Sequence, residues 1–268
     1  MELTVAIVCS KDILLARCLK SIPKKYPVLV VLNYPSNEVI NIIKQDKRAE
    51  TIRHDEANLG LLRQLAAEKV KTKGIMYLDS DCVIEEGTID KVASELDKFP
   101  AVSIPMKYKY HNFSTKIVAR CREFTTPAEA LFMPMAFSID VQKKIGGYLY
   151  DKRLLWGEDS DQRQRIIENN ISFTISKGCV WHEALNFRSD SRSAIRLGRG
   201  RYIQEQHGYY QKRKLLKDLL PFNKIPVTIK CIKKIGFLAT LYHDLVWRPS
   251  YKYGYWKEVV KNGRKNRA

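Results

Sequence analysis

Two carboxylates stand close together in the mostly apolar stretch GIMYLDSDCVI, which spans residues 74–84. Asp79 and Asp81 are two positions apart, so both side chains can approach one divalent cation and the ligand that the cation holds. Mg²⁺ and Mn²⁺ prefer carboxylate oxygen, and they usually bind through one or two carboxylates together with phosphate oxygens of the substrate. The pair therefore predicts a site for Mn²⁺ or Mg²⁺. The alternative is an ordinary acidic turn after a strand.

A second acidic group lies in the segment WGEDSDQRQR, residues 156–165. Glu158 and Asp159 open a predicted helix, and acidic side chains in a first turn are favoured by the helix dipole. Capping is therefore one interpretation. The other is the rim of a pocket, because Trp156 offers an apolar platform and Gly157 follows it.

The third candidate is His182, which follows a predicted strand in the segment CVWHE, residues 179–183. An isolated histidine after a strand is more often a structural residue than a ligand. Imidazole is nevertheless a common metal ligand, and the strand before His182 can lie beside the first site. Both interpretations, a structural histidine and a further metal ligand, stay open.

The elements that must position these residues alternate between strands and helices. Apolar runs predict the strands, and segments with one apolar face predict the helices. The strands are predicted over residues 3–9, 28–34, 51–54, 74–79, 101–108 and 171–176, and the helices over 12–22, 58–70, 86–99 and 158–169. This alternation is typical of an α/β fold with a parallel sheet. Asp79 and Asp81 then fall at the carboxyl end of a strand, the edge where open α/β sheets bind ligands.

Length and composition favour one large domain or a domain with an extension, since 268 residues with 45% hydrophobic content can bury a sizeable core. We expect no signal peptide and no membrane span, because no basic segment precedes the first apolar run and no run reaches about 18 apolar residues. The six cysteines lack CxxC spacing. They therefore indicate neither a zinc site nor a disulfide scaffold, and we expect reduced thiols in the cytoplasm.

Five segments stand in a specific order: NLG at 58–60, YLDSD at 77–81, IGGYLYD at 145–151, WGEDSDQRQR at 156–165 and WHE at 181–183. Together they resemble the family 2 glycosyltransferases, which are inverting enzymes with the GT-A fold. The resemblance covers residues 1–185 and lies in the order and spacing of these segments. It implies a Rossmann-like nucleotide-sugar-binding domain with a mixed, mainly parallel sheet, and transfer of a hexose from a nucleotide sugar to a hydroxyl group.

The resemblance also implies roles for residues of this chain. Asp79 would lie near the donor ribose and the cation, Asp81 would coordinate Mn²⁺ or Mg²⁺ at the nucleotide diphosphate, and His182 would be a further ligand. A cation there stabilises the charge that develops on the leaving diphosphate. Asp159 would be the general base that takes the proton of the acceptor hydroxyl, with Glu158 beside it. The residues expected on the acceptor side are Trp156 and Gly157.

On the donor side, the resemblance implies that Asn58, Gly60 and Arg63 lie close to the nucleotide, and Ser80 stands between the two aspartates. For Arg63 an exposed helix charge is the alternative. Family members often hold the nucleobase with an acidic residue at the end of the second strand, where this chain has Asn33. The base therefore stays open, with UDP the commonest donor nucleotide.

The last third of the chain carries most of the positive charge. From Glu183 onward there are 20 Lys and Arg against 6 Asp and Glu, whereas the first 182 residues have 27 against 23, and the net charge is +18. Residues 186–268 are predicted as a basic helical extension, with helices over 192–206 and 227–247 and aromatic residues after them. Such a segment suits an anionic lipid surface. We expect peripheral attachment to the cytoplasmic face of the membrane, and a lipid-linked or phosphate-bearing saccharide acceptor in surface-glycan biosynthesis.

Two alternatives for this extension stay open. Its basic helix can pack on the catalytic domain while its lysines are solvated. Aromatic residues interleaved with Lys and Arg also suit nucleic acid, so the chain could be a sugar transferase that modifies nucleic acid, or a non-catalytic basic module that binds it. The sequence has no recognised nucleic-acid-binding motif, and it indicates neither the oligomeric state nor the sugar or linkage.

Overall fold

The structure is a computed structural model, and it describes residues 1–126, 131, 133–208 and 225–265. Contacts divide the chain into two compact units. The first comprises Met1–Tyr108 and Pro127–Glu183, and the second comprises Lys109–Thr126 and Ala184–Ala268. The domain boundary at residue 185 stays a prediction, although segment 109–126, expected in the catalytic domain, groups with the C-terminal residues.

Strands of the described chain form two sheets. In chain order they are β1 Leu3–Cys9, β2 Val28–Leu32, β3 Ala49–Arg53, β4 Gly74–Asp79, β5 Cys82–Ile84, β6 Ala101–Ser103, β7 Met106–Lys109, β8 Met135–Ser138, β9 Phe173–Ile175 and β10 Val180–Glu183. The larger sheet has seven strands in the order β3-β2-β1-β4-β8-β6-β9, and the smaller has the order β5-β10-β7.

Helices follow most of the strands. In chain order they are α1 Leu15–Ser21, α2 Asn37–Gln45, α3 Leu59–Lys69, α4 Thr88–Leu96, α5 Phe113–Thr125, α6 Val141–Lys144, α7 Glu158–Glu168, α8 Phe187–Gln206, α9 Ile225–Ile235, α10 Phe237–Tyr242 and α11 Arg248–Lys265, with a π-helical turn His243–Trp247 between the last two.

The larger sheet is mixed and mainly parallel, which confirms the predicted α/β class. β1 pairs in parallel with β2 and β4, β2 with β3, and β6 with β9. β8 is antiparallel to both of its neighbours, β4 and β6. Val8 of β1 pairs with Asp79 of β4, so the loop after β1 and the turn after β4 leave the sheet at the same edge.

Both faces of this sheet are covered by apolar side chains. On one face Ile7 of β1 lies in the same buried cluster as Val92 of α4. On the other face Ala6 of β1 shares a cluster with Ile166 of α7. Full burial of an aliphatic side chain contributes roughly 1.5–3 kcal/mol to the stability of the fold. The polar residues at the end of β4 are therefore held in place by a well-packed core.

Two predicted elements are wrong. The single strand expected over residues 101–108 is two strands, β6 and β7, in different sheets. Pro105 lies between them and has no N–H to donate to a strand ladder. The continuous helix expected over residues 227–247 is interrupted at Gly236, whose φ of 88° and ψ of 162° suit glycine alone.

Apart from Lys109 at the end of β7, the regular secondary structure described in the second unit is helical. Ile117 of α5 packs in one buried cluster with Ile235 of α9 and Tyr242 of α10. Asp190 of α8 is fully buried, and its carboxylate accepts hydrogen bonds from Arg122 Nε at 2.7 Å and from Tyr242 Oη at 2.7 Å. No helix among the described residues has the length and apolar character needed to cross a bilayer.

Helices α8 and α11 meet at two glycines. A Cβ placed on Gly198 would lie 2.0 Å from the carbonyl oxygen of Tyr251, and one on Gly254 would lie 2.1 Å from the carbonyl oxygen of Ile195. Real Cβ atoms do not come so close to backbone oxygen. The absence of side chains at these two positions therefore sets the distance between the helices.

Candidate active site

The site is built at the edge where β1 and β4 end. Asp79 is the last residue of β4, and Asp81 lies in the turn that leads into β5. Ser80 donates a hydrogen bond from its Oγ to Oδ2 of Asp12 at 2.8 Å, and Asp12 lies in the loop after β1. This bond joins the two loops directly. Asp12 was not among the predicted site residues, although its place after the first strand is the signal that could have found it.

Asp81 and His182 form an ion pair across the smaller sheet. The Nε2 of His182 lies 3.0 Å from Oδ2 of Asp81. Burial disfavours both charges, but the mutual interaction outweighs it, so the pKa of Asp81 is lowered and the pKa of His182 is raised. The strand that carries His182 thus reaches the first site, as its sequence position allowed.

The other ring nitrogen of His182 contacts the backbone. Its Nδ1 lies 2.6 Å from the carbonyl oxygen of Glu183. In the ion pair the imidazolium donates from Nδ1 to this carbonyl and from Nε2 to Asp81. Loss of the Nε2 proton leaves the Nδ1 bond in place and frees the Nε2 lone pair for a cation. Histidine ligands of metal sites are oriented in the same way.

The chemistry of the donor atoms tests whether the expected cation fits. Among the described residues, one ligand atom from each of Asp81, Cys82 and His182 lies within 4.8 Å of the others. The carboxylate suits Mn²⁺ and Mg²⁺ and imidazole is a common metal ligand, whereas a thiol suits neither of these hard cations. Asp81 and His182 therefore fit a divalent cation. Asp79 is not in this group, and its role as a ligand stays a prediction.

Arg63 connects the turn of Asp79, Ser80 and Asp81 (the DxD turn) to the second acidic segment, residues 156–165. Its side chain is only 7% exposed; Nη1 pairs with the buried carboxylate of Glu158, and Nη2 lies 3.2 Å from Oδ1 of Asp79. The interpretation of Arg63 as an exposed helix charge is therefore wrong. Contact between Arg63 and a nucleotide stays a prediction.

Glu158 and Asp159 begin α7 directly after Gly157, whose φ is 80°. Burial raises the pKa of both carboxyl groups, and the positive charge of Arg63 opposes the shift. Oδ1 of Asp159 accepts a hydrogen bond from the backbone N–H of Ser160 at 2.8 Å. Glu158 is buried whereas Asp159 and Trp156 are half-buried, so Asp159 is the more accessible carboxylate of the pair.

Asn58 and Gly60 hold the start of α3 against the loop before Trp156. Oδ1 of Asn58 caps the helix by accepting from the N–H of Leu61, and its Nδ2 donates to the carbonyl oxygen of Lys152 at 2.6 Å. A Cβ on Gly60 would lie 2.3 Å from the carbonyl oxygen of Asp151. Both residues thus place Arg63, one turn further along the helix. Their contact with a nucleotide stays a prediction.

Asn33 braces the end of the second strand. Its Nδ2 donates to the carbonyl oxygens of His54 and Glu56, each at 2.9 Å. These bonds hold the loop after β3 beside the end of β2. The role of Asn33 at the nucleobase stays a prediction.

Arg165 is a second arginine that the motifs did not single out. It pairs with Asp161 at 2.8 Å, and its guanidinium donates to the carbonyl oxygens of Ile145, Tyr148 and Leu149. It therefore fixes the glycine turn of the segment IGGYLYD against α7. The signal for it was the Asp and Arg spacing of i and i+4 on a helix.

The mainly parallel sheet, with an acidic turn after β4 and a second acidic segment at the start of α7, is the architecture of the GT-A glycosyltransferases. The model of the glycosyl transferase family 2 matches residues 10–153, which is more than half of the chain. The chain belongs to this family, and it is a glycosyltransferase. Glu158, Asp159 and His182 lie beyond the matched residues.

Solved structures support the fold independently. The crystal structure of S. aureus TarS 1–349 matches with a TM-score of 0.53 and 15% sequence identity. The match covers 98% of the present chain and 92% of the TarS chain. The structure of the same TarS segment in complex with UDP-GlcNAc gives the same values. A longer S. aureus TarS structure also matches. The match covers 94% of the present chain and 55% of the longer TarS chain. At this identity the likeness concerns the fold, and no curated protein matches the chain.

Proposed function

We propose that this chain transfers a sugar, with inversion, from a UDP-sugar to the hydroxyl group of an acceptor. The observation that carries the proposal is the guanidinium of Arg63, which pairs with both Asp79 and Glu158. It brings the DxD turn and the segment of the proposed base to one edge of the sheet. The complexes of TarS with UDP-GlcNAc and with UDP support UDP as the first donor nucleotide to test.

Asp81 and His182 are the proposed ligands of Mn²⁺ or Mg²⁺. A cation bound there supplies Lewis-acid stabilisation of the charge that develops on the leaving diphosphate. Asp79 is proposed to face the ribose and the cation, and its pairing with Arg63 limits the repulsion between its carboxylate and the anionic donor. The residues proposed to lie at the donor nucleotide are Asn33, Asn58, Gly60 and Ser80.

Asp159 is the proposed general base. The proton of the acceptor hydroxyl moves to its carboxylate as the hydroxyl oxygen attacks carbon 1 of the donor sugar. Glu158 is engaged with Arg63 and only 3% of its side chain is exposed, so we assign it to positioning rather than to proton transfer. Trp156 and Gly157 precede the pair and are proposed to line the acceptor side.

The second unit is proposed to bring the enzyme to an anionic membrane surface on the cytoplasmic side. Lys230, Lys233 and Lys234 of α9 are exposed, and apolar side chains are exposed near them. The exposed apolar residues of this segment are Ile229, Ile232, Phe237, Leu238, Leu241, Leu245 and Val246. Basic and apolar groups side by side suit lipid headgroups and the acyl boundary, which supports a lipid-linked or phosphate-bearing saccharide as acceptor.

The donor side is tested by the melting temperature of the purified chain with a panel of nucleotides and nucleotide sugars, in Mn²⁺ or in chelator. Because a ligand of the native state raises the melting temperature, we expect UDP or a UDP-sugar to do so only with Mn²⁺. Asp81→Ala should remove the shift and the hydrolysis of the donor. If no nucleotide changes the melting temperature with or without metal, the proposed donor site is wrong.

The membrane proposal has its own test. The chain is sedimented at low salt with vesicles of phosphatidylglycerol and with vesicles of phosphatidylcholine. We expect co-sedimentation with the anionic vesicles only, and its loss when Lys230, Lys233 and Lys234 are replaced by Gln. Failure to sediment with anionic vesicles would contradict membrane attachment, and salt-dependent retention on DNA would favour nucleic acid as the acceptor.

A further inference from the structure

Asp81, Cys82 and His182 bring three metal-ligand atoms close together. The proposed catalysis uses Asp81 and His182 but not Cys82. β5 and β10 are antiparallel, and Cys82 lies opposite His182 in their register, so their side chains project from the same face. Each carboxylate oxygen of Asp81 faces one of these two side chains. Oδ2 is 3.0 Å from Nε2 of His182, and Oδ1 is 3.9 Å from Sγ of Cys82.

A carboxylate, a thiol and an imidazole are the donors that zinc takes in proteins. Zn²⁺ binds sulfur at about 2.3 Å and nitrogen or oxygen at about 2.0–2.2 Å, in tetrahedral geometry. Ligand atoms of such a tetrahedron are roughly 3.3–3.8 Å apart, and the three donors here already lie within 4.8 Å of one another. Small side-chain rotations therefore separate the present arrangement from a zinc site.

We propose that Asp81, Cys82 and His182 bind Zn²⁺ as a three-residue site with one exchangeable fourth position. The thiol of Cys82 releases its proton to solvent when its sulfur binds the metal. Zinc at this place occupies two ligands proposed for the catalytic cation, and such sites bind Zn²⁺ more tightly than Mn²⁺. Zinc is therefore a competitor of the catalytic cation and an inhibitor of transfer.

Accessibility is consistent with this role. Cys82 is fully buried, which shields its sulfur from larger reagents, whereas the side chains of His182 and Asp81 are 13% and 27% exposed. A small ion can thus enter beside Asp81 and reach the sulfur. Mg²⁺ and Mn²⁺ disfavour thiolate, so Cys82 is the residue that distinguishes zinc from the hard cations at this site.

The test measures metal binding directly, on the full chain freed of metal with chelator. Zn²⁺ affinity is obtained by competition with a chromophoric chelator, and Co²⁺ is added separately because a thiolate ligand gives it a charge-transfer absorption. We expect that band in the wild-type protein. Cys82→Ser should lose the band and weaken zinc binding by more than about tenfold, since even an outer-shell change costs roughly 10–100-fold. Cys18→Ser, at an equally buried cysteine near Asp79, is the matched control and should change neither.

A wild-type protein without the band, or a Cys82→Ser protein with unchanged zinc affinity, would overturn the proposal. If Cys82→Ser does not fold, the band in the wild type and its loss in His182→Ala decide the matter. Zinc binding does not depend on sugar transfer, so failure of the zinc proposal can be distinguished from failure of the proposed function. A thiolate band without any nucleotide-dependent stabilisation keeps the zinc site and rejects the donor site, and the reverse result rejects only the zinc site.

Discussion

Nη2 of Arg63 lies 3.2 Å from Oδ1 of Asp79, while Nη1 of the same guanidinium pairs with Glu158. The buried guanidinium of Arg63 thus joins the end of β4 to the start of α7. Arg63 and Glu158 are 95 residues apart in sequence. The ion pair is the physical link between the proposed donor side and the proposed base, because Asp159 is the next residue after Glu158.

Replacement of Arg63 by Met should destabilise the fold strongly. It leaves the carboxylate of Glu158 buried and unpaired, and breaking one side of a buried ion pair costs about 3–5 kcal/mol. Chemical denaturation measures this loss. Arg53→Met is the control, since Arg53 and its partner Asp55 are 63% and 37% exposed and such pairs contribute about 0–1 kcal/mol. Equal losses in the two variants would contradict the assigned role of Arg63.

Asp159→Asn should retain the donor site and lose the transfer reaction. The amide has the shape of the carboxylate but cannot take the proton, and general-base catalysis contributes about 10²–10⁴-fold. We expect a rate loss of that order with an unchanged nucleotide-dependent shift of the melting temperature. Ser160→Ala serves as the control, because Ser160 contacts Asp159 through its backbone N–H. Transfer at the wild-type rate in a folded Asp159→Asn protein would exclude Asp159 as the base.

The pH dependence of transfer should report the environment of Asp159. Burial raises the pKa of this carboxyl group, and only its ionised form accepts a proton. Activity should therefore rise with pH, with a midpoint above the ordinary Asp value of about 3.9. The measurement is kcat/KM against pH at constant Mn²⁺. A midpoint at or below the ordinary value, or the same acidic limb in the residual activity of Asp159→Asn, would contradict this.

Gly60→Ala should destabilise the chain, although Ala stabilises most helix positions by about 0.5–1 kcal/mol relative to Gly. The added Cβ would lie 2.3 Å from the carbonyl oxygen of Asp151 and 2.7 Å from that of Leu154. Overpacking of this kind costs about 1–3 kcal/mol. The sign of the change in unfolding free energy is therefore the readout, and a gain in stability would show that α3 and the loop can separate without cost.

Asp190→Ala should destabilise the second unit. Asp190 is fully buried and binds both Arg122 and Tyr242, and the guanidinium left behind is only 12% exposed. A loss of about 3–5 kcal/mol is expected, measured by denaturation. Asp140→Ala removes a carboxylate that is 76% exposed and should change stability by less than about 0.5 kcal/mol. Similar values for the two variants would contradict the importance of the buried cluster.

The strands next to the site could be predicted closely because their sequences are mostly apolar runs. β1 and β4 have the bounds expected, Leu3–Cys9 and Gly74–Asp79, and runs of this type occur in sheets buried on both faces. The acidic turn after β4 followed from the same pattern. Local chemistry was therefore sufficient for the elements and for the residues that they carry at their ends.

Relationships between distant residues were not predictable in this way. Arg63 has the sequence context of a surface helix charge, and its burial depends on Glu158, which belongs to another helix. Cys82 and His182 are opposite each other only because β5 and β10 pair, so no CxxC-like spacing could indicate their proximity. The grouping of segment 109–126 with the C-terminal helices likewise arises from tertiary contacts.

The reciprocal glycines of α8 and α11 have a mechanical and evolutionary consequence. Since Gly198 and Gly254 each receive a backbone carbonyl of the other helix, sliding of one helix along the other would bring these carbonyls against residues that carry a side chain. Variation at one glycine is tolerable only after the helices have moved apart, so drift at the two positions is constrained jointly rather than site by site.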